Sequence, residues 1–576
     1  VIFATQYYYL MIPLQKNKIF HLVWRLEPVA LAGLLLVGYL IISTLNRGIS
    51  CDEGYYLLGY LKHQPNGNLI IDFQYIIKGL FGFLPDDSVI QLSAIRLLLT
   101  FLSLFLFTIT SFNWLQNRFA LKHNYGFYSI MIFLAGGIGF TFGTPVLYYD
   151  NMQAILYLTV FAFLFHLLNH PRKRNYIALL LMGFLLVFAL TNYLPSGILL
   201  GMSILLFIGI EQGVKTLPRK LIYLIVGFIA GAMFYHVFIH NLFHYIHGAI
   251  DSFKLAQSGI SNHDNHSLLT AMVTAIGITF ITYIPILFIL YWMHKHVKIN
   301  KVMQLSFWMI FIVILLLMRT IYKLESLLYL FPIVILFSVL ISQKTIQLKD
   351  YFNSKPFWLL ILLIGLPFMG IFGTDQSIFA KAILFMPFWM VAYWMVFAQF
   401  NRDSLKIFQP LSLSFIVLLV CGYIYLGNFS RYQYNYTPRS SKVFLEHNVR
   451  FKSILVSSYQ QAYYRDVCDT LNVHGFHPGD QIVAFADNLM AVYIAGGYFP
   501  GGLVYDWSQY SHIPSQPASF FILFKGEENA VKQVFAHSGW NFPANYTRIE
   551  MRSMSQNMAA DKYATIIYYL TKNKKL

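Results

Sequence analysis

Residues Ile95 to Leu115 read IRLLLTFLSLFLFTITSFNWL, 21 positions with a single charge at Arg96. A helix rises about 1.5 Å per residue, so a run of this length crosses the roughly 30 Å hydrocarbon layer of a bilayer, where every backbone amide must be satisfied within its own segment. Similar runs, some a little shorter, occur at Pro28–Thr44, Phe127–Val146, Met152–Leu168, Ile177–Leu190, Leu194–Ile210, Leu221–Ile239, Leu269–Trp292, Leu305–Met318, Leu327–Ile341, Phe357–Phe372, Ile378–Phe397 and Leu411–Leu426. With 57% hydrophobic and 11% charged residues and a mean hydropathy of +0.57, the chain reads as an α-helical polytopic membrane protein of about 13 transmembrane helices.

Short cytoplasmic loops are enriched in Lys and Arg. Alternate loops here carry Lys16, Lys18 and Arg25; Arg118 and Lys122; Arg172, Lys173 and Arg174; Lys215, Arg219 and Lys220; Lys295, Lys298 and Lys301; Lys344, Lys349 and Lys355; and Arg402 with Lys406. The pattern puts the N-terminus in the cytoplasm and, with an odd number of spans, the C-terminus outside. The formal charge of +17 reflects this topology and contact with anionic membrane lipids rather than nucleic-acid binding, because no basic patch sits in a folded soluble region. Three cysteines cannot form a disulfide framework.

Beyond Leu426 the composition becomes mixed. QIVAFAD, SFFILFKG and ATIIYYLT read as buried strands, and ENAVKQVFAHSG reads as a helix ended by Gly539. We expect a transmembrane domain over 1–427 and a C-terminal soluble α/β domain over 428–576. GGYFPGG has the wrong spacing for a phosphate loop and reads as turns.

The first outer loop opens with CDEGYYLLGY, Cys51 to Tyr60, and continues through LIIDFQYIIKGLFGFL, an amphipathic stretch suited to the membrane interface. The second outer loop, GTPVLYYDNMQ, is short and presents Asp150. A helix N-terminus explains any one of Asp52, Glu53 and Asp150 taken alone. Three acids delivered to one face suit either a divalent cation held by oxygen ligands or a general base for an acceptor hydroxyl. At the outer end of the ninth span, MRTIYKLESLLYLFP places Arg319 and Lys323 at headgroup depth, where they can face a phosphate. FYHVFIHNLFHYIHGAIDSFK spaces His236, His240, His244 and His247 as one helical stripe leading toward His263 and His266. Histidines so spaced can bind zinc or copper, His244 and His247 among them, or can hydrogen-bond neighbouring helices and lipid.

The DE pair after the first span, the acid in a short second outer loop, GFLLVFALTNYLP and YKLESLLYLFP together resemble the GT-C glycosyltransferases, and within them the protein mannosyltransferases and lipid A aminoarabinose transferases. The resemblance covers roughly the first 340 residues. It implies an enzyme, inverting in a single displacement, that moves a sugar from a polyprenyl-phosphate donor to an acceptor (lipid, glycan or protein) outside the membrane. It implies Asp52 as base, Glu53 as the residue orienting acceptor or metal, Asp150 as second-loop acid, and Lys323 with Tyr329 near the carrier phosphate. Tyr55 and Tyr149 join the substrate-binding set. The catalytic outer loops are then 46–93, 145–151 and 240–268, and the setting is the bacterial inner membrane, with the C-terminal domain in the periplasm and a role in the cell envelope. Relatives carry Thr-Lys where this chain has Thr191 and Asn192, so one phosphate contact is missing or is replaced by another cation such as Arg319. The competing readings are a transporter or flippase of lipid-linked sugar, which tends to show repeated halves, an inactive scaffold of the same architecture, and an oligosaccharyl-type transferase acting on protein, against which the absence of an obvious tryptophan-rich acceptor motif in the outer domain counts.

Overall fold

The computed structural model describes residues 33, 38, 49, 52–67, 71–119, 121, 125–140, 144–170, 175–257, 270, 273, 350–351, 353–372, 381–400, 441–445, 450, 454–505, 514–536, 540–553 and 564–571. Two short helices come first, α1 (Glu53–Tyr60) and α2 (Phe73–Phe81). Apolar helices follow: α3 (Val89–Phe119), α4 (Tyr125–Phe140), α5 (Tyr149–Asn169), α6 (Tyr176–Asn192), α7 (Leu194–Gln212) and α8 (Leu217–Phe238), then α9 (Leu242–Gln257), α10 (Lys355–Gly370) and α11 (Met386–Phe400). Among the described residues four helices are long and apolar enough to cross a membrane, α3, α5, α7 and α8 with the short turn before it, and α4, α6, α10 and α11 are shorter apolar helices. These coincide with eight of the expected spans. The expected spans Pro28–Thr44, Leu269–Trp292, Leu305–Met318, Leu327–Ile341 and Leu411–Leu426 lie outside the described residues, apart from Gly33, Gly38 and two isolated positions.

Helix α5 is the centre of the bundle, buried along nearly its whole length. Helices α6 and α8 approach closely through small residues: a Cβ on Gly183 would lie 2.1 Å from the Leu224 carbonyl oxygen, and one on Gly227 2.1 Å from that of Leu180. Such contacts let backbones meet where the hydrophobic effect drives no association. The far side of α8 exposes Ile222, Val226, Ile229, Met233 and Val237, one stripe at helical spacing that suits lipid contact. At one end of the bundle the Arg118 guanidinium pairs with Glu211 at 3.2 Å and Lys355 Nζ donates to the Glu211 carbonyl at 3.2 Å, gathering residues from basic loops assigned to the cytoplasm.

The C-terminal part contains β1 (Ser441–Phe444) and β2 (Leu455–Ser457), helix α12 (Ser458–Val473), β3 (Ile482–Ala484), α13 (Leu489–Ala495), β4 (Phe520–Phe524), α14 (Glu528–Phe535), β5 (Tyr546–Ser553) and β6 (Ala564–Leu570). The sheet order is β3-β4-β6-β5, with β3 and β4 parallel and the other neighbours antiparallel. All five residues of β4 are buried, as its continuous apolar run requires. Three of these strands and α14 match the sequence expectation, although α14 ends at Phe535, before Gly539. The expected boundary at 427/428 falls outside the described residues.

This part seats directly on α1 and the residues flanking it. Gln64 Nε2 donates to the carbonyls of Phe499 and Gly501, both at 3.1 Å, and its Oε1 accepts from Phe499 N. Pro65 and Gly67 exchange backbone bonds with Leu503, and Gln460 brackets the backbone of Ile49. A Cβ on Gly54 would meet the Met490 backbone nitrogen at 2.1 Å, so α1 and α13 touch backbone to backbone. GGYFPGG thus forms the expected turns, with Gly496 and Gly501 at positive φ, and its carbonyls receive Gln64.

Candidate active site

Asp52 precedes α1 with φ 51°, and its carbonyl accepts from the amides of Tyr55 and Tyr56 to start the helix. An aspartate adopts this left-handed region more readily than most residues, but the conformation still requires outside support. Tyr505 supplies part of it, its hydroxyl donating to Asp52 Oδ1 at 2.5 Å. Glu53, one residue on, is fully buried and turns toward the seam between α1 and the C-terminal part, where its charge reaches the phenols of Tyr60 and Tyr493. The two adjacent acids therefore face different surroundings.

The second acid is placed by the segment between α4 and α5. Buried Arg96 donates from Nη2 to the Phe140 carbonyl at 2.6 Å and from Nη1 to the Thr144 carbonyl, and its guanidinium lies 4.1 Å from the Phe140 ring centroid. A fixed cation on carbonyls at the end of α4 holds the turn that leads to Tyr148 and Tyr149. Tyr60, from the Asp52 helix, donates to the Leu147 carbonyl and so ties α1 to the segment before α5. Asp150 then falls in the first turn of α5, where the helix dipole favours its charge. Its partner is Lys381, whose Nζ sits 2.9 Å from Asp150 Oδ2 and donates to the Tyr149 hydroxyl at 2.9 Å. Lys381 is 1% exposed and Asp150 6%, so the pair is withdrawn from bulk water.

Asn192 occupies the position where the resemblance expects lysine. It is buried and donates to the Tyr149 carbonyl at 2.9 Å and to Gln153 Oε1 at 2.8 Å. Gln153 continues to Ser196, and Ser196 to the Gly370 carbonyl, so this polar network holds α5, α6, α7 and α10 in register around Asp150. The cation beside Tyr149 comes from Lys381 instead.

Between the acids lies a group of tyrosines. Tyr56 meets Tyr55, Tyr148 and Tyr149 with ring centroids 5.4, 5.7 and 6.4 Å away, Tyr149 meets Tyr193 at 5.8 Å, and Tyr55 meets Tyr505 at 5.8 Å. Burial pushes the Tyr56 phenol well above its ordinary range, and the charges of Asp52 and Asp150 add to that shift. Tyr56 therefore stays a neutral O–H donor within electrostatic reach of both acids.

The structure thus brings together Asp52, Asp150, Tyr55 and Tyr149 from the expected set, and adds Lys381, Tyr56 and Tyr505. Arg319, Lys323 and Tyr329 lie outside the described residues. The signal for Lys381 was present as a lone charge within an apolar run, which in a membrane protein marks a functional or paired position. The expected histidine stripe is broken: α8 ends at Phe238 and α9 starts at Leu242. His240, in the gap, binds Asp72 Oδ2 through Nδ1 at 2.7 Å and stacks on Tyr75, and Tyr235 donates to the same carboxylate oxygen at 2.8 Å. The buried carboxylate of Asp72, just before α2, takes up His240 at the point where a continuous helix would have carried it past. Among the described residues no three His, Cys, Asp or Glu side chains group as a metal site, a finding that covers Asp52, Glu53, Asp150, His244 and His247. The counter-charge that these residues offer Asp150 is an ammonium.

No family model matches the chain, and no curated protein matches it. Among solved structures it is similar to the apo form of the oligosaccharyltransferase of Archaeoglobus fulgidus, with a TM-score of 0.45 and 10% identity over 97% of this chain and 76% of that one.

Proposed function

We propose that this chain is a membrane glycosyltransferase of the GT-C type that transfers a sugar from a polyprenyl-phosphate donor to an acceptor hydroxyl at the face bearing Asp52. The observation that carries the reading is the buried Lys381–Asp150 pair on Tyr149, set beside Asp52 in one tyrosine-lined site. Asp52 takes the proton of the acceptor hydroxyl while the acceptor oxygen bonds to the anomeric carbon. The bond from that carbon to the phosphate oxygen breaks, and the polyprenyl phosphate leaves with the electron pair, inverting the configuration. Lys381, oriented by Asp150, supplies positive charge against the negative charge that develops on the leaving phosphate, in the role that the resemblance assigns to a lysine at Asn192. Arg319, Lys323 and Tyr329 belong to the same reading as further carrier contacts, as does a bacterial inner-membrane setting with this face toward the periplasm.

The test uses protein in lipid nanodiscs with a panel of undecaprenyl-phosphate hexoses and aminosugars, following release of undecaprenyl phosphate. Asp52→Asn should lower the rate at least ~100-fold with membrane insertion unchanged. A variant as active as the parent rules out Asp52 as the base, and a parent that consumes no member of the panel rules out the donor class. Cysteine labelling in cells checks orientation: a cysteine at Lys525 should react with an impermeant reagent and one at Lys173 should not.

A further inference from the structure

Two of the positive-φ residues other than glycine, Asp52 at φ 51° and Ala486 at φ 50°, belong to segments that meet at the site. The Ala486 amide donates to the Tyr505 carbonyl at 2.7 Å, which locks Tyr505 to the turn carrying Asp487. That locked unit grips Asp52 twice: the Tyr505 hydroxyl donates to its carboxylate at 2.5 Å, and Asp487 Oδ1 accepts from its backbone amide at 3.4 Å. Strain of this kind persists where surrounding contacts over-determine it, and here the contacts come from the C-terminal part. Among the described residues, the groups around Asp52 include the Tyr505 phenol and Asp487 on that side, and Tyr56 with the Asp150–Lys381 pair beyond it on the other.

We infer that Tyr505 is a positioning residue for Asp52, so that the C-terminal part completes the catalytic centre by fixing the base in its rotamer and favouring its ionised form. The inference rests on the reading of Asp52 as base. A donor on the carboxylate stabilises the anion, which keeps it ready to accept a proton at lower pH.

The experiment measures the pH dependence of undecaprenyl-phosphate release from the donor panel for Tyr505→Phe, for 3-fluorotyrosine at position 505, and for Asp52→Asn. Loss of the hydroxyl should move the acid limb of kcat upward by about one pH unit, the worth of one charge-assisted hydrogen bond. Fluorination strengthens the donor and should move the limb downward. An unmoved limb in both variants, with Asp52→Asn inactive, overturns the role of Tyr505 and leaves the proposed function standing. An active Asp52→Asn overturns both. Denaturant unfolding of the same proteins gives a readout free of substrate: Asp52→Asn should cost less stability in the Tyr505→Phe background than in the parent, and equal costs overturn the inference.

Discussion

Replacing Lys381 with methionine keeps the length and apolar volume of the side chain and removes its charge from a site where both partners are almost fully buried. At 2.9 Å and an effective dielectric near 20, the direct attraction in the pair is about 6 kcal/mol. Much of that offsets the desolvation of the two ions, so the measurable cost is that of leaving one charge without its partner, about 3–5 kcal/mol. Asp150→Asn alone should cost a similar amount, because it strands the lysine. The double variant Lys381→Met/Asp150→Asn should recover most of the loss, since a neutral, well-packed pair carries no desolvation penalty. Unfolding by SDS in mixed micelles, followed through the buried Trp389 and Trp394 on α11 just beyond Lys381, reads the cycle. With single costs of about 3–5 kcal/mol each and most of the loss recovered in the double variant, a coupling of about 5 kcal/mol or more is expected. Additive single costs, or a Lys381→Met protein as stable as the parent, would refute the pairing as the element that holds Asp150. In the proposed mechanism the double variant should remain inactive despite its recovered stability, which separates the structural part of Lys381 from its action on the leaving phosphate.

Gly54→Ala drives a Cβ to within 2.1 Å of the Met490 backbone, so α1 and α13 must separate. Transfer activity should fall at least ~10-fold through loss of the Tyr505 contact, and limited proteolysis should cut the chain around α1 faster; an unchanged digestion pattern contradicts the packing. In the C-terminal part, burial alone raises the Glu528 carboxyl, but hydrogen bonds from Lys532, Tyr568 and Arg548 outweigh it and hold the group at about 2. A lowered folded-state value means that this stabilisation is complete above the ordinary carboxylate value near 4.5 and is lost as the pH falls toward about 2. Glu528→Gln should therefore lower the melting temperature at neutral pH and flatten its decline between those two values, and parallel curves for variant and parent refute the linkage.

Hydropathy was sufficient to place the eight apolar helices described, because in lipid each helix satisfies its own backbone and needs no distant partner to form. The acids Asp52 and Asp150 were legible for a similar reason: charges at the ends of apolar runs stand out by position alone. The sequence contains Lys381, Tyr505 and His240 equally plainly, yet their roles depend on partners far along the chain. Tyr505 lies 453 positions from Asp52, His240 lies 168 from Asp72, and Lys381 reaches Tyr149 across 232. Local periodicity continued the histidine stripe through one helix, and tertiary structure broke it, because bonding His240 to a buried carboxylate outweighs three more residues of helix. The split between Asp52 and Glu53 likewise came from packing, since the close approach of α1 to α13 buries one carboxylate in the seam and leaves the other in reach of Tyr505. Apolar length and end charge are local quantities and survive in a one-dimensional reading, whereas the pairing of buried charges is settled only when helices and sheet bring distant segments into contact.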